Sequence, residues 1–167
     1  MAADTTISRA PDRRFLVSHP AHFIALGFGS GLAPRAPGTF GTLASLALYY
    51  LLALALPPLA IAFLAIPLYF VGVWACDVTG RDLGVSDHGA MVWDEIAAFF
   101  VVLALVPREP AWQAAAFIAF RFFDIAKPQP VRHFEQRFGG GFGVMFDDLV
   151  AAGYTLLLLA VCSRIFL

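Results

Sequence analysis

Residues 59–76 read LAIAFLAIPLYFVGVWAC, eighteen positions without one charged side chain. A second run of the same kind, FGTLASLALYYLLALAL, occupies residues 40–56, and only Pro57-Pro58 lies near the join. A helix needs about 20 apolar residues to cross the hydrocarbon core of a bilayer, and both runs come close. The paired prolines read as a tight turn between them. Three further apolar stretches follow at about 97–106, with a polar lead-in from Met91, at about 111–123, and at 149–167. The last approaches spanning length. The other two reach it only if their charged ends, Asp94-Glu95 and Arg121 to Asp124, are counted as helix. The expected fold is therefore all-α: a polytopic membrane helical bundle with about five apolar helices and cytoplasmic polar loops. Residues 1–22 are expected to form a polar tail, and 23–167 a single membrane-embedded domain.

Composition supports this reading. Apolar residues make up 60 % of the 167 positions and charged residues only 14 %, where a soluble domain carries about 25 % charge. The formal net charge of -1 and the lack of a basic block exclude a nucleic-acid partner. Cys76 and Cys162 fit no metal or redox spacing, and no disulfide is expected between them. Residues 1–22 contain no continuous apolar core of the signal-peptide kind. With the N-terminus inside and five spans, nine of the eleven Lys and Arg residues face the cytoplasm, leaving only Arg108 and Arg164 outside. The acids gather on the same face, although no orientation rule requires it.

Charge at a membrane helix is costly and is usually retained for a task. Asp94-Glu95 and Asp147-Asp148 each border an apolar stretch, as if at its cytoplasmic end. Magnesium prefers carboxylate oxygens and often completes its shell with substrate phosphate, so two facing acidic pairs would make such a site. Asp147-Asp148 reads equally as a helix N-cap, where acids meet the positive end of the dipole. Arg121, Asp124 and Lys127 follow at three-residue spacing and share a face if helical. That row could grip a phosphate or form a structural ion network. Asp87-His88 precedes the VWDE segment, and a histidine beside an acid can work as a general acid or orient a water. The Gly-rich lead-in around Arg35 offers amide donors and a cation suited to phosphate, without the Gly-Lys-Ser/Thr of a nucleotide-binding loop. Val131 to Phe138 could form a short helix lying along the membrane surface.

Three segments together carry a resemblance: GFGSGLAPRAPGTFGTLAS at 27–45, SDHGAMVWDEIAAFF at 86–100, and FRFFDIAKPQPVRHFE through GGGFGVMFDDLVAAG at 120–153. In their order, spacing and composition the chain resembles the phosphatidylglycerophosphatase A family over roughly residues 25–155. The resemblance implies a magnesium-dependent lipid phosphatase of the bacterial inner membrane, removing the terminal phosphate of phosphatidylglycerophosphate. It carries the family's acidic positions onto Asp87, Asp94, Glu95, Asp124, Asp147 and Asp148, and its cations onto Arg121 and Lys127. Within that frame Asp94, Glu95, Asp147 and Asp148 are expected to hold the metal. Arg35, Arg121 and Lys127 are expected to bind substrate, and Asp87, His88 and Asp124 to serve catalysis. Water and an aspartyl nucleophile both stay open. A small ion- or proton-coupled membrane transporter is the alternative, since intramembrane acids also mark ion pathways.

Overall fold

The computed structural model describes residues 10–127 and 140–166, and among these every regular element is helical. Two short helices open the chain, α1 (Arg13–Ser18) and α2 (Pro20–Ala25), and a 3-10 turn follows at Gly27–Leu32. Five longer helices come next: α3 (Pro37–Ala53), α4 (Pro58–Leu83), α5 (Trp93–Leu105), α6 (Pro110–Ala126) and α7 (Gly140–Phe166). Each of the five apolar stretches thus contributes to a helix.

Proline sets several of the starts. Pro37, Pro58 and Pro110 stand in the first turns of α3, α4 and α6, where the missing N–H would have had no intrahelical partner. Gly84 ends α4 in the left-handed conformation, at φ 72°. Helix α5 is buried along most of its length, with Phe99, Phe100, Val102 and Leu103 closed off from solvent. It packs against α3, α4 and α7 and is the axis of the bundle, with α6 laid against α7 and α5.

Two helices, α4 and α7, are long and apolar enough to cross a membrane. Their outward faces carry Phe63, Phe70, Leu157 and Ile165, all exposed. Such a surface is compatible with contact to acyl chains. At about 1.5 Å per residue, α3 and α6 extend about 26 Å and α5 only about 20 Å, short of a hydrocarbon core of about 30 Å.

Three boundaries differ from the sequence expectation. Helix α4 continues seven residues past Cys76 and carries Asp77, Arg81 and Asp82 on its last two turns. Helix α7 starts at Gly140, so Asp147 and Asp148 lie two turns inside it and not at its N-cap. The expected polar tail, residues 1–22, includes α1 and part of α2, and the boundary at 22 falls within α2. There Ala21, His22 and Ala25 are buried, and α2 packs against α4. His22 stacks on Phe15 at a centroid distance of 4.0 Å, and its Nε2 lies 2.8 Å from Asp82 Oδ2. The surface helix expected at Val131–Phe138 lies outside the described residues.

The start of α5 is level with the middle of α4. The Trp93 indole N–H donates to the Leu68 carbonyl at 3.0 Å, and Gly72 leaves room for the Trp93 ring and the Met145 side chain. From Leu68, α4 runs on for about 22 Å to its C-terminal end. The chain returns from that end to α5 through residues 84–92, and the Val92 N–H donates to the Ala25 carbonyl at 2.9 Å. The first turn of α5 is therefore recessed beneath the N-terminal helices and this returning loop.

Candidate active site

Asp94 and Glu95 occupy the first turn of α5, where the helix dipole favours negative charge. Helix α7 passes beside them and delivers Asp148. One oxygen from each of the three carboxylates lies within 4.8 Å of the others. Asp94 and Asp148 are buried, and the Glu95 side chain is 13 % exposed. Asp94 Oδ1, Glu95 Oε2 and Asp148 Oδ2 are each shielded from solvent without a hydrogen-bond donor among the described residues. Burial of such atoms is expensive unless a cation or a donor meets them.

The last turns of α6 supply the positive side. Arg121 Nη1 lies 2.6 Å from Asp124 Oδ2, 3.7 Å from Glu95 Oε1 and 3.4 Å from Thr42 Oγ1. Its Nε is buried and has no acceptor among the described residues. Asp124 is also within hydrogen-bond reach of Asp148. Lys127 caps α6 at φ 39°, a left-handed conformation unusual for a side chain with a Cβ, and its Nζ lies 3.4 Å from Asp147 Oδ2. Strain of this sort concentrates at functional sites. Among the described residues, five acids thus meet two cations here.

The Gly-rich lead-in reaches the same place. At Gly38 a Cβ would collide with the Glu95 carboxylate and lie 3.0 Å from Arg121 Nη1. Thr42, one turn on, donates to the Gly38 carbonyl at 2.9 Å, and Ser45 donates to the Ile96 carbonyl at 2.8 Å. Gly38, Thr42 and Ser45 form a stripe of small residues that seats α3 against α5. Gly38 belongs to the Gly-rich lead-in expected from the sequence, where it meets the Glu95 and Arg121 side chains. Thr42 was not expected, although its four-residue spacing from Gly38 was a usable signal for close helix packing.

The expected site residues divide as follows. Asp94, Glu95 and Asp148 converge, with Asp124 and Arg121 against them. Asp147 is buried on the adjoining side of α7 and engages Lys127. Asp87 is exposed, close enough to Cys76 to act on it electrostatically, as Glu95 and Asp148 also do. His88 sits in the turn before α5, where its Nδ1 accepts the Ala90 N–H at 3.1 Å. Arg35 is exposed on the bend three residues ahead of Gly38.

A buried all-oxygen donor set flanked by an arginine and a lysine is an arrangement whose chemistry suits a hard cation and a phosphoryl group. The family model for phosphatidylglycerophosphatase A matches residues 23–163. A phosphatidylglycerophosphatase A of Haemophilus influenzae is 44 % identical over 149 residues, covering 88 % of this chain and 91 % of its own. One of Escherichia coli K12 is 42 % identical over 139 residues, covering 83 % and 80 %. A Bacteroides thetaiotaomicron protein with the provisional name phosphatidylinositol-3-phosphatase is 41 % identical over 145 residues, covering 83 % and 90 %. No solved structure matches. The chain belongs to the phosphatidylglycerophosphatase A family. The transporter alternative finds no support in this family or in these relatives.

Proposed function

We propose that the chain is a multi-pass protein of the bacterial inner membrane that hydrolyses phosphatidylglycerophosphate to phosphatidylglycerol and inorganic phosphate at a cytoplasm-facing, magnesium-dependent site. Family membership supports the reaction. The observation that carries the site is the meeting of Asp94, Glu95 and Asp148 from two helices, with three buried oxygens lacking donors among the described residues. That donor set suits a hard divalent cation, and magnesium is the one proposed. Asp94, Glu95 and Asp148 would hold it directly, with Asp147 alongside. Bound there, it would offset phosphate charge and make a water more acidic.

The chain's own residues do the rest. Arg121 presents its Nε to a phosphate oxygen while Nη1 stays with Asp124. Lys127 and the exposed Arg35 add positive charge at the rim. A planar guanidinium can hold phosphate oxygens in a fixed orientation. Asp124, steadied by Arg121, is placed to orient the incoming water. Asp87, exposed, and His88, half-buried, stand in the loop ahead of α5, where either would serve proton transfer. In the reaction the bond between phosphorus and the glycerol oxygen breaks. The water oxygen joins the phosphate, and a proton passes to the departing alcohol.

The topology follows from α3 to α7 crossing or entering the bilayer in turn, with the N-terminus inside. The lipid's acyl tails stay in the inner leaflet while its phosphomonoester reaches the recessed acids. The test is phosphate release from phosphatidylglycerophosphate by the purified protein in detergent. Release of phosphate with phosphatidylglycerol as the lipid product is expected. Active wild-type protein and inactive Glu95→Gln and Asp148→Asn variants, all equally well inserted, would place the reaction at this site. Absence of release from the wild type under any divalent cation would end the proposal.

A further inference from the structure

A cavity of about 300 Å³ opens on the bundle where α4, α5 and α7 meet, beside the acid cluster. Its floor is made of alanines, Ala65 from α4 and Ala97 and Ala98 from α5, whose short side chains leave the space. Ile66 and Phe70 stand exposed at its edge, facing outward on α4. We infer that this groove receives one acyl chain of the phospholipid whose phosphate reaches Asp94, Glu95 and Asp148. The inference rests on the phosphatase reading above and adds where the lipid tail lies.

Continuity with the acid cluster carries it. In α5 the residues three, four and seven positions after Asp94 are Ala97, Ala98 and Val101, and all three line the groove. Residues at those spacings share a helix face. In α7 the groove is lined by Met145, one turn before Asp148, and by Leu149, which follows it. The α5 face that presents Asp94 therefore walls the groove, and on α7 Met145, three residues before Asp148, lies beside it. On α4 it extends from Ala62 to Phe70, which is about 12 Å along the axis. One leaflet of the hydrocarbon core is about 15 Å deep. A single hydrocarbon chain matches that length and shape, and the recessed level of the acids brings the headgroup end of the groove to them.

On the opposite side of the cluster, among the described residues, Gly38 and Arg121 close directly on Glu95, and Arg121 also meets Thr42 at 3.4 Å. Substrate therefore arrives from the α4–α7 side, and the α3–α6 side serves as the wall that positions its phosphate.

The test compares phosphatidylglycerophosphate bearing two long acyl chains with the same headgroup on two short ones, using the full-length protein in detergent. Ala98→Phe fills the groove. The ratio of kcat/KM for long over short substrate should fall about tenfold, since several methylenes lose their burial. An unchanged ratio would overturn the assignment. Because Ala98→Phe could also disturb folding, a second measurement uses the wild type alone. A long-chain phosphatidylglycerophosphate with a diazirine in one acyl chain is photolysed on the protein, and the adducts are mapped. Adducts concentrated at Ile66, Phe70 and Val101 are expected, competed by unlabelled substrate and not by phosphatidylcholine. Adducts on α3 and α6, or equal competition by phosphatidylcholine, would overturn it. Wild-type protein that labels in the groove but releases no phosphate would refute the phosphatase reading and leave the groove assigned to a lipid.

Discussion

At the level of single residues, the site turns on which carboxylates converge on one another and which turns to a lysine. Asp148 joins Asp94 and Glu95, whereas Asp147 engages Lys127 at 3.4 Å. The two neighbours on α7 should therefore respond differently. Asp148→Asn should reduce phosphate release more than about a hundredfold, since loss of an outer partner to a metal ligand already costs 10- to 100-fold. Asp147→Asn should cost only about tenfold, within that outer-partner range. Initial rates on equal amounts of inserted protein check both. Similar losses in the two variants would mean that Asp147 is as central as Asp148. The identity of the acids was legible in the sequence, because carboxylates are conspicuous in so apolar a chain. Their division of labour was not, since Asp147 and Asp148 are adjacent and only the direction of each side chain from α7 separates them.

Among the helices, the first requirement is that α3, α5 and α6 approach closely enough for Gly38, Glu95 and Arg121 to touch. Gly38→Ala should push the Glu95 carboxylate and the Arg121 guanidinium apart, because the added Cβ has no room between them. Activity is expected to fall about tenfold or more, since small misplacements of positioned groups cost up to about a hundredfold. A thermal melt in detergent should shift far less than the activity does. Full activity in Gly38→Ala would show that this contact is slack. The positions of the helices themselves were readable from apolar runs and from Pro37, Pro58 and Pro110. The start of α7 was not. Gly139, Gly140 and Gly141 read locally as a helix breaker. In the fold, Gly141 lies against the α4 backbone at Val73 and Asp77, where any side chain would be excluded. Tertiary packing thus overrides local propensity. The same limit applies to α2, whose anchor joins His22 to Asp82, sixty positions apart.

Across the whole molecule, the account requires the N-terminal helices and the acid cluster to lie on the cytoplasmic side, and the α5–α6 turn at Arg108 and Glu109 to lie outside. In a background where Cys162 is replaced by serine, Glu109→Cys should react with a membrane-impermeant maleimide applied to intact spheroplasts. Asp12→Cys should react only after the membrane is opened. The reverse pattern would invert the topology and move the site to the wrong compartment. Composition was enough to indicate an all-helical apolar chain, and the exposed apolar faces of α4 and α7 are compatible with a membrane protein. It could not reveal that α5 begins at mid-height of α4, because that level is set by the Trp93 bond to Leu68 and by the return of residues 84–92 under α2. Direct cation binding tests whether Asp94, Glu95 and Asp148 form one cation site. Purified, metal-stripped protein is titrated with Mn²⁺ as a spectroscopic stand-in for magnesium, and free ion is followed by electron paramagnetic resonance. The wild type and Asp147→Asn should take up the ion and release it to excess magnesium, and Glu95→Gln and Asp148→Asn should lose that uptake. Equal binding by all four proteins, or none by the wild type, would contradict the account.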